Sequence, residues 1–328
     1  MKDVLFSHNT AARFWINHSG FTDNSRVPRP ALDDCEYGAR EIKASPLFDE
    51  FARVDGEVHV LVTPGVERKP TKDLVRHVCT EELPADAVVR IAPGVLVASP
   101  ELCFLQMASV MEFAELVKFG FNICAGYRIG SSRDAAELVE RPPLTTRARI
   151  LDVISQSHSP SPIARARRAL DYVGEGSASP METSGTMLAC LPKPKGGYAK
   201  PMPLLNQRID YSPVARRMAG VGFARCDMYW PDQAVAVEYD SDMEHTGSER
   251  IAADAMRRSA LRYDGVEVLT LSKIQTMNPA LFDDFMLALD KALGLPASKN
   301  PRPDPNAQAA LRKLVFGRDC WPSLSPRR

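Results

Sequence analysis

The stretch "FARCDMYWPDQAVAVEYDSD", residues 223–242, limits the possible folds of this chain more than any other. Two runs rich in aromatic and β-branched residues flank "WPDQ", the composition of a tight turn between antiparallel strands. A helix-forming run at about 248–263 and another strand, "VEVLTLS" at 266–272, come next. A strand near 202–209 and helices near 180–191 and 279–293 complete the set. Strand and helix alternate, which predicts an α/β (mixed α+β) sheet flanked by helices. Period-two alternation puts Glu238 and Asp240 on one face of the second hairpin strand, where Asp227 of the first can face them.

Three carboxylates converging on a hairpin repel one another unless a cation neutralises them. Mg2+ or Mn2+ resolves that conflict, since hard divalent ions take carboxylate, water and phosphate oxygens. Such an ion polarises a phosphodiester and orients a water nucleophile. The alternative is structural: Asp227 and Asp240 are strand-end acids facing solvent, and Glu238 pairs with an arginine such as Arg225. Glu182 has two readings as well. "SPME" has a capping-box shape with Ser179 at the N-cap, and a glutamate at a helix start can also orient a metal-bound water.

The order of these features resembles the PD-(D/E)XK nuclease superfamily, in particular the bacterial branch similar to very-short-patch-repair endonuclease. A helical Glu182 is followed by Asp227, Glu238 and Asp240 on a hairpin, then by His245 and a helix carrying Arg250, Arg257 and Arg258. The resemblance spans roughly residues 165–295 and implies a restriction-endonuclease-like mixed sheet and a metal-dependent DNA endonuclease, a hydrolase of phosphodiester bonds. It casts Asp227, Glu238 and Asp240 as metal ligands and Glu182 and His245 as helpers in proton transfer. The superfamily's usual lysine position holds Asp240, and Lys200 in "GGYAKPMP" is a candidate replacement. Arg250, Asp254 and Arg258 stand at helical spacing for surface ion pairs. Arg257 lies off that row; Arg250, Arg257 and Lys200 are the candidates for phosphate contact. Trp230 is expected to close the hairpin. The second expectation is a catalytically silent DNA-binding or partner-binding antitoxin or regulator on the same fold.

The chain has 328 residues, enough for two domains. "LFSHNTAARFWI", "EVHVLVTP" (57–64) and "GVLVASPELCFLQMASVMEFAELV" resemble the core of AbiEi-like type IV toxin–antitoxin antitoxins, over roughly residues 3–125. That resemblance implies a toxin or other protein partner and a setting in phage defence or mobile elements. Because the chain opens at "MKDVLFSH", the family's N-terminal winged helix is not expected. Within this half, strands are expected at 57–64 and 88–99, one helix from about Thr10 and another from Pro100 with Ser99 as its cap. His8 and His18 read as structural.

The expected organisation is an antitoxin-like domain at 1–140, a basic Pro/Ser/Arg-rich join at 141–178, the nuclease-like domain at 179–295 and a basic tail at 296–328. The join carries Arg141, Arg147, Arg149, Arg165, Arg167 and Arg168, expected on backbone phosphate, and the tail a short helix near 306–315. Lys+Arg and Asp+Glu balance at 41 each, so any attraction to DNA must be local. The 7 cysteines form no CxxC pair, which fits a reducing cytoplasm. No apolar run is long enough for a membrane span, and no glycine-rich loop indicates a nucleotide cofactor.

Overall fold

The structure, a computed structural model, describes residues 2–18, 20–21, 25–45, 47–65, 71–131, 136–240, 248–296 and 302–317. It is a mixed α/β protein whose chain divides into two compact units, Met1–Val173 and Gly174–Ser323. No helix among the described residues is long and apolar enough to cross a membrane.

The first unit opens with β1 (Val4–Phe6), α1 (His8–Asn17), α2 (Ala39–Lys43), α3 (Phe48–Asp55), β2 (Val58–Val62) and β3 (Leu74–Val78). β4 (Val88–Ala92), β5 (Val95–Ala98), α4 (Pro100–Met107), α5 (Phe113–Cys124), β6 (Tyr127–Ser131), β7 (Ala136–Glu140), α6 (Arg147–Gln156) and α7 (Pro160–Leu170) follow. Five strands form one sheet in the order β3-β2-β1-β5-β4, and β6 and β7 form a separate hairpin. The apolar run at 88–99 is two antiparallel strands rather than one, because Gly94 turns the chain with φ +77°. Ser99 caps α4 as expected, its hydroxyl accepting from the Leu102 N–H at 3.2 Å. Trp15, Phe6, Phe104 and Phe121 are fully buried, and the Trp15 indole donates to the Ala98 carbonyl at 2.7 Å.

The run expected as a join belongs to this unit up to Val173. Its arginines differ in exposure: of the six, Arg141 is inside the unit and the other five lie at its surface. Arg141 is buried and donates to the carbonyls of Trp15, His18, Asn122 and Tyr127, which satisfies the last turns of α1 and α5. Arg165 donates to the Met111 carbonyl, Arg167 to the Ser155 hydroxyl, and Arg168 covers the Phe113 ring at 5.4 Å.

The second unit comprises α8 (Pro180–Cys190), β8 (Leu204–Asp210), α9 (Pro213–Ala219), β9 (Phe223–Trp230), β10 (Val235–Asp240) and α10 (Ser248–Tyr263). β11 (Glu267–Ser272), α11 (Lys273–Met277), α12 (Pro279–Ala292) and α13 (Pro305–Phe316) complete it. Its sheet runs β11-β10-β9-β8, with β10 and β11 parallel and the other pairs antiparallel. α13, in the expected tail, packs within this unit: Leu311 and Val315 are buried, and the Val315 carbonyl accepts from the Ser184 hydroxyl of α8. Arg302 and Arg312 of the same segment are engaged by Asp283 and by the Thr276 carbonyl.

Candidate functional site

The β9–β10 hairpin forms where the sequence places it. Its ladder pairs Val235 with Trp230, Ala236 with Tyr229 and Val237 with Met228. Trp230 is buried and donates to the Pro201 carbonyl at 2.9 Å, so the ring closes the hairpin. One more step along the register sets Glu238 opposite Asp227. There the side chain takes over from the ladder: Asp227 Oδ2 accepts from the Tyr239 backbone N–H at 2.7 Å. One apolar cluster contains Ala224 and Cys226 together with Tyr229, positions of opposite parity, so strand alternation changes phase around Asp227. That slip turns an acid inward where regular pleating would have continued.

Glu238 is held from the helix above. Arg257 of α10 forms an ion pair with it, and the Glu238 side chain is 14% exposed. The second Arg257 nitrogen reaches the Arg225 carbonyl at 3.5 Å, while its Nε is buried without a hydrogen-bond partner. The structural reading expected Glu238 to pair with an arginine such as Arg225; the arginine is Arg257, while Arg225 on the neighbouring strand is exposed.

Glu182 enters from the first turn of α8. Ser179 Oγ accepts from the Glu182 N–H at 3.2 Å, and Glu182 Oε2 accepts from the Ala178 N–H at 2.8 Å. The return bond therefore goes one residue beyond the N-cap that a capping box uses. Burial pushes the Glu182 carboxyl up to about 7, and the Asp227 charge adds to the rise. Burial also raises Asp227, reinforced by Glu238 and opposed by the Tyr239 N–H and Arg257. The carboxylates of α8, β9 and β10 thus sense one another across one patch.

The remaining expected residues fall differently. Asp240 is the last residue of β10, in register with Ser272 of β11. His245 lies outside the described residues, and so does the side chain of Arg250 at the start of α10. Lys200 does not stand in for the missing lysine: it is buried and ion-paired with Asp290 of α12. Among the described residues no three His, Cys, Asp or Glu side chains form a ready-made metal-ligand group, and this includes Asp227, Glu238 and Asp240. The donor chemistry still suits a hard divalent ion, with the Asp227 carboxyl raised chiefly by burial and further by Glu238, and the Arg257 guanidinium against both.

Two further groupings had no counterpart in the sequence reading. In the first unit His8, His59 and His77 cluster: the His8 and His77 rings stack 3.5 Å apart, and His59 Nδ1 is hydrogen-bonded to His77 Nε2 at 2.8 Å. Rings stacked face to face cannot both aim lone pairs at one ion, so the cluster is a packing feature. In the second unit Arg208 and Arg225 flank the exposed Phe223 at the sheet edge. No family model, no curated protein and no solved structure matches this chain.

Proposed function

We propose that the second unit is a Mg2+- or Mn2+-dependent DNA endonuclease whose phosphodiester site lies on the β9–β10 hairpin. The observation that carries this reading is the coupling of Asp227 on β9 with Glu182 of α8 and with Glu238 of β10, and of Arg257 with the latter pair. Asp227 and Glu238 would hold the ion, with Asp240 and His245 completing the site. A bound ion would offset the carboxylate repulsion and polarise the scissile phosphate. The Tyr239 N–H fixes the Asp227 carboxylate, and Arg257 holds Glu238 until phosphate draws the guanidinium away. Glu182, poised near neutral pH, takes or returns a proton of the attacking water. The first unit supplies an antitoxin-like module, and the resemblances favour a cytoplasmic protein of phage defence or mobile elements with a toxin as partner.

The test is incubation with supercoiled plasmid, duplex and single-stranded oligonucleotides under Mn2+, Mg2+ or EDTA. Cleavage that needs metal and disappears in Asp227→Ala and Glu238→Gln is expected. Metal-dependent cleavage retained by both variants overturns the assignment. The Arg257–Glu238 pair and the commitment of Lys200 to Asp290 favour a second reading, a silent DNA-binding or partner-binding regulator. That reading expects nucleic-acid binding with neither cleavage nor Mn2+ uptake dependent on Asp227.

A further inference from the structure

β8 and β9 pair in a register that sets Arg208 directly opposite Arg225, with Asp210 opposite Phe223 two residues further on. Like charges facing each other across two strands destabilise a sheet. Both arginines are nevertheless exposed on β8, the edge strand, and on its neighbour. Phe223 sits between them: the Arg208 guanidinium lies 4.1 Å from the ring centroid and that of Arg225 6.0 Å. The ring is 37% exposed, although Ala224 beside it is buried in the core cluster. α9 adds Arg216 and Arg217 in its last turn, both exposed.

Ordinary surface chemistry accounts for part of this. Arg208 Nε and Nη2 donate to Asp210 at 2.9 and 2.7 Å, and arginines at a helix C-terminus suit its dipole. It does not account for an opposed arginine pair around an exposed aromatic ring. Among the described residues Arg225 makes no ion pair with an acid; its Nη1 reaches the Asn206 carbonyl, at 3.4 Å. The strip also leads to the carboxylates. Arg225 precedes Asp227 by two residues on the same strand, roughly 6.6 Å at strand rise. Arg257, which holds Glu238, touches the Arg225 carbonyl.

We propose that Arg208, Phe223 and Arg225 form a binding strip for a single-stranded polynucleotide, one base stacking on Phe223 and the flanking phosphates resting on the two guanidiniums. A polyanion removes the repulsion built into the arginine pair. An exposed ring between cations is the arrangement that sequence-tolerant single-strand platforms use. The preference for a single strand follows from the ring, because a duplex keeps its base faces stacked inside. This inference deepens the nuclease reading by naming its substrate class, and binding in EDTA tests it separately from cleavage.

The experiment is fluorescence anisotropy of the full chain in EDTA with labelled dT20, U20 and a 20-base-pair duplex, at 50 and 200 mM NaCl. Wild type is expected to bind dT20 or U20 more tightly than the duplex, and the two homopolymers distinguish a DNA strand from an RNA strand. Phe223→Ala is expected to weaken single-strand binding by about tenfold or more, the worth of one stacked base. Phe223→Trp keeps the affinity and so guards against a folding artefact. Arg208→Gln with Arg225→Gln is expected to lower the log–log salt slope by about 1.4, two phosphate contacts on a single strand. Arg262→Gln, an exposed arginine on α10, leaves binding unchanged. Three results overturn the proposal: Phe223→Ala binding as wild type, equal losses on duplex and single strand, or no strand binding at 50 mM NaCl. Cleavage lost in Asp227→Ala with strand binding intact leaves the strip standing, whereas metal-dependent cleavage with no effect of Phe223→Ala removes the strip alone.

Discussion

Arg257 answers two carboxylates at once, because Glu238 has it as its ion-pair partner while Asp227 lies alongside. Removing one partner of a largely buried pair leaves the other charge uncompensated. Arg257→Met is therefore expected to destabilise the unit by on the order of 2 kcal/mol, less than for a fully buried pair since Arg257 is 33% exposed. Mn2+ should restore more of that loss in the variant than it adds to wild type, as ion and guanidinium answer the same carboxylates. Thermal unfolding with Mn2+ or EDTA measures both; a variant indifferent to Mn2+ would remove the metal from the site. The acids of the hairpin were legible in the sequence because alternation and turn chemistry are local. Their cations were not, since Glu238 meets Arg257 and Lys200 meets Asp290 only after helices pack on the sheet. Phe223 and Arg225 were visible as alternate residues of one strand. Arg208 joined them only once the β8 register was known.

Elements were most legible where a cap and a periodicity coincided, as at Ser99 for α4 and Ser179 for α8. In the basic runs charge spacing cannot separate a solvated arginine from one like Arg141, whose donors end on backbone carbonyls. The tail shows the same limit: a proline-rich lead-in reads as loose chain, yet α13 is anchored through its apolar face and through Gln308 Nε2, which donates to Tyr198 OH at 2.7 Å. Its docking depends on Gly196, which has φ +89° and where a Cβ would lie 2.3 Å from the Ala307 carbonyl oxygen. Gly196→Ala combines left-handed strain with a clash against backbone, so a loss on the order of 2 kcal/mol is expected, concentrated in α13. Amide hydrogen exchange locates it: α13 should lose protection first, and unchanged protection there would contradict the docking role of this glycine.

At the scale of the whole molecule the two units carry buried groups that titrate in opposing senses. In the first, burial lowers His59 and His77 from 6.5 to about 4, with Arg13 adding to the fall of His59 and His59 to that of His77; His8 is lowered well below 6.5 by burial and by His77 and His59. The groups facing this cluster are Ser7, Thr10 and Gln106, none of which titrates in this range, and Arg13, whose charge also disfavours imidazolium. Below pH 6.5 the unfolded chain takes up protons that the folded one refuses, so stability falls as pH drops, and the His59 and His77 share of that fall levels off below about 4. In the second unit, Glu182 is raised from 4.5 to about 7, so the folded state holds a proton that the unfolded chain has released. Its contribution is present below 4.5 and is lost as pH rises through 7. Between 4.5 and 6.5 the two effects oppose each other, each at up to about 1.4 kcal/mol per pH unit per group. Hydrogen exchange on the intact chain, corrected for intrinsic rates, should show β2 and β3 gaining protection from pH 5 to 6.5 while the first turns of α8 lose it. Glu182→Gln, which keeps an acceptor for the Ala178 N–H, should flatten the second trend and leave the first untouched. Parallel changes in both units would mean that a shared charge effect, and not these buried groups, sets the pH response.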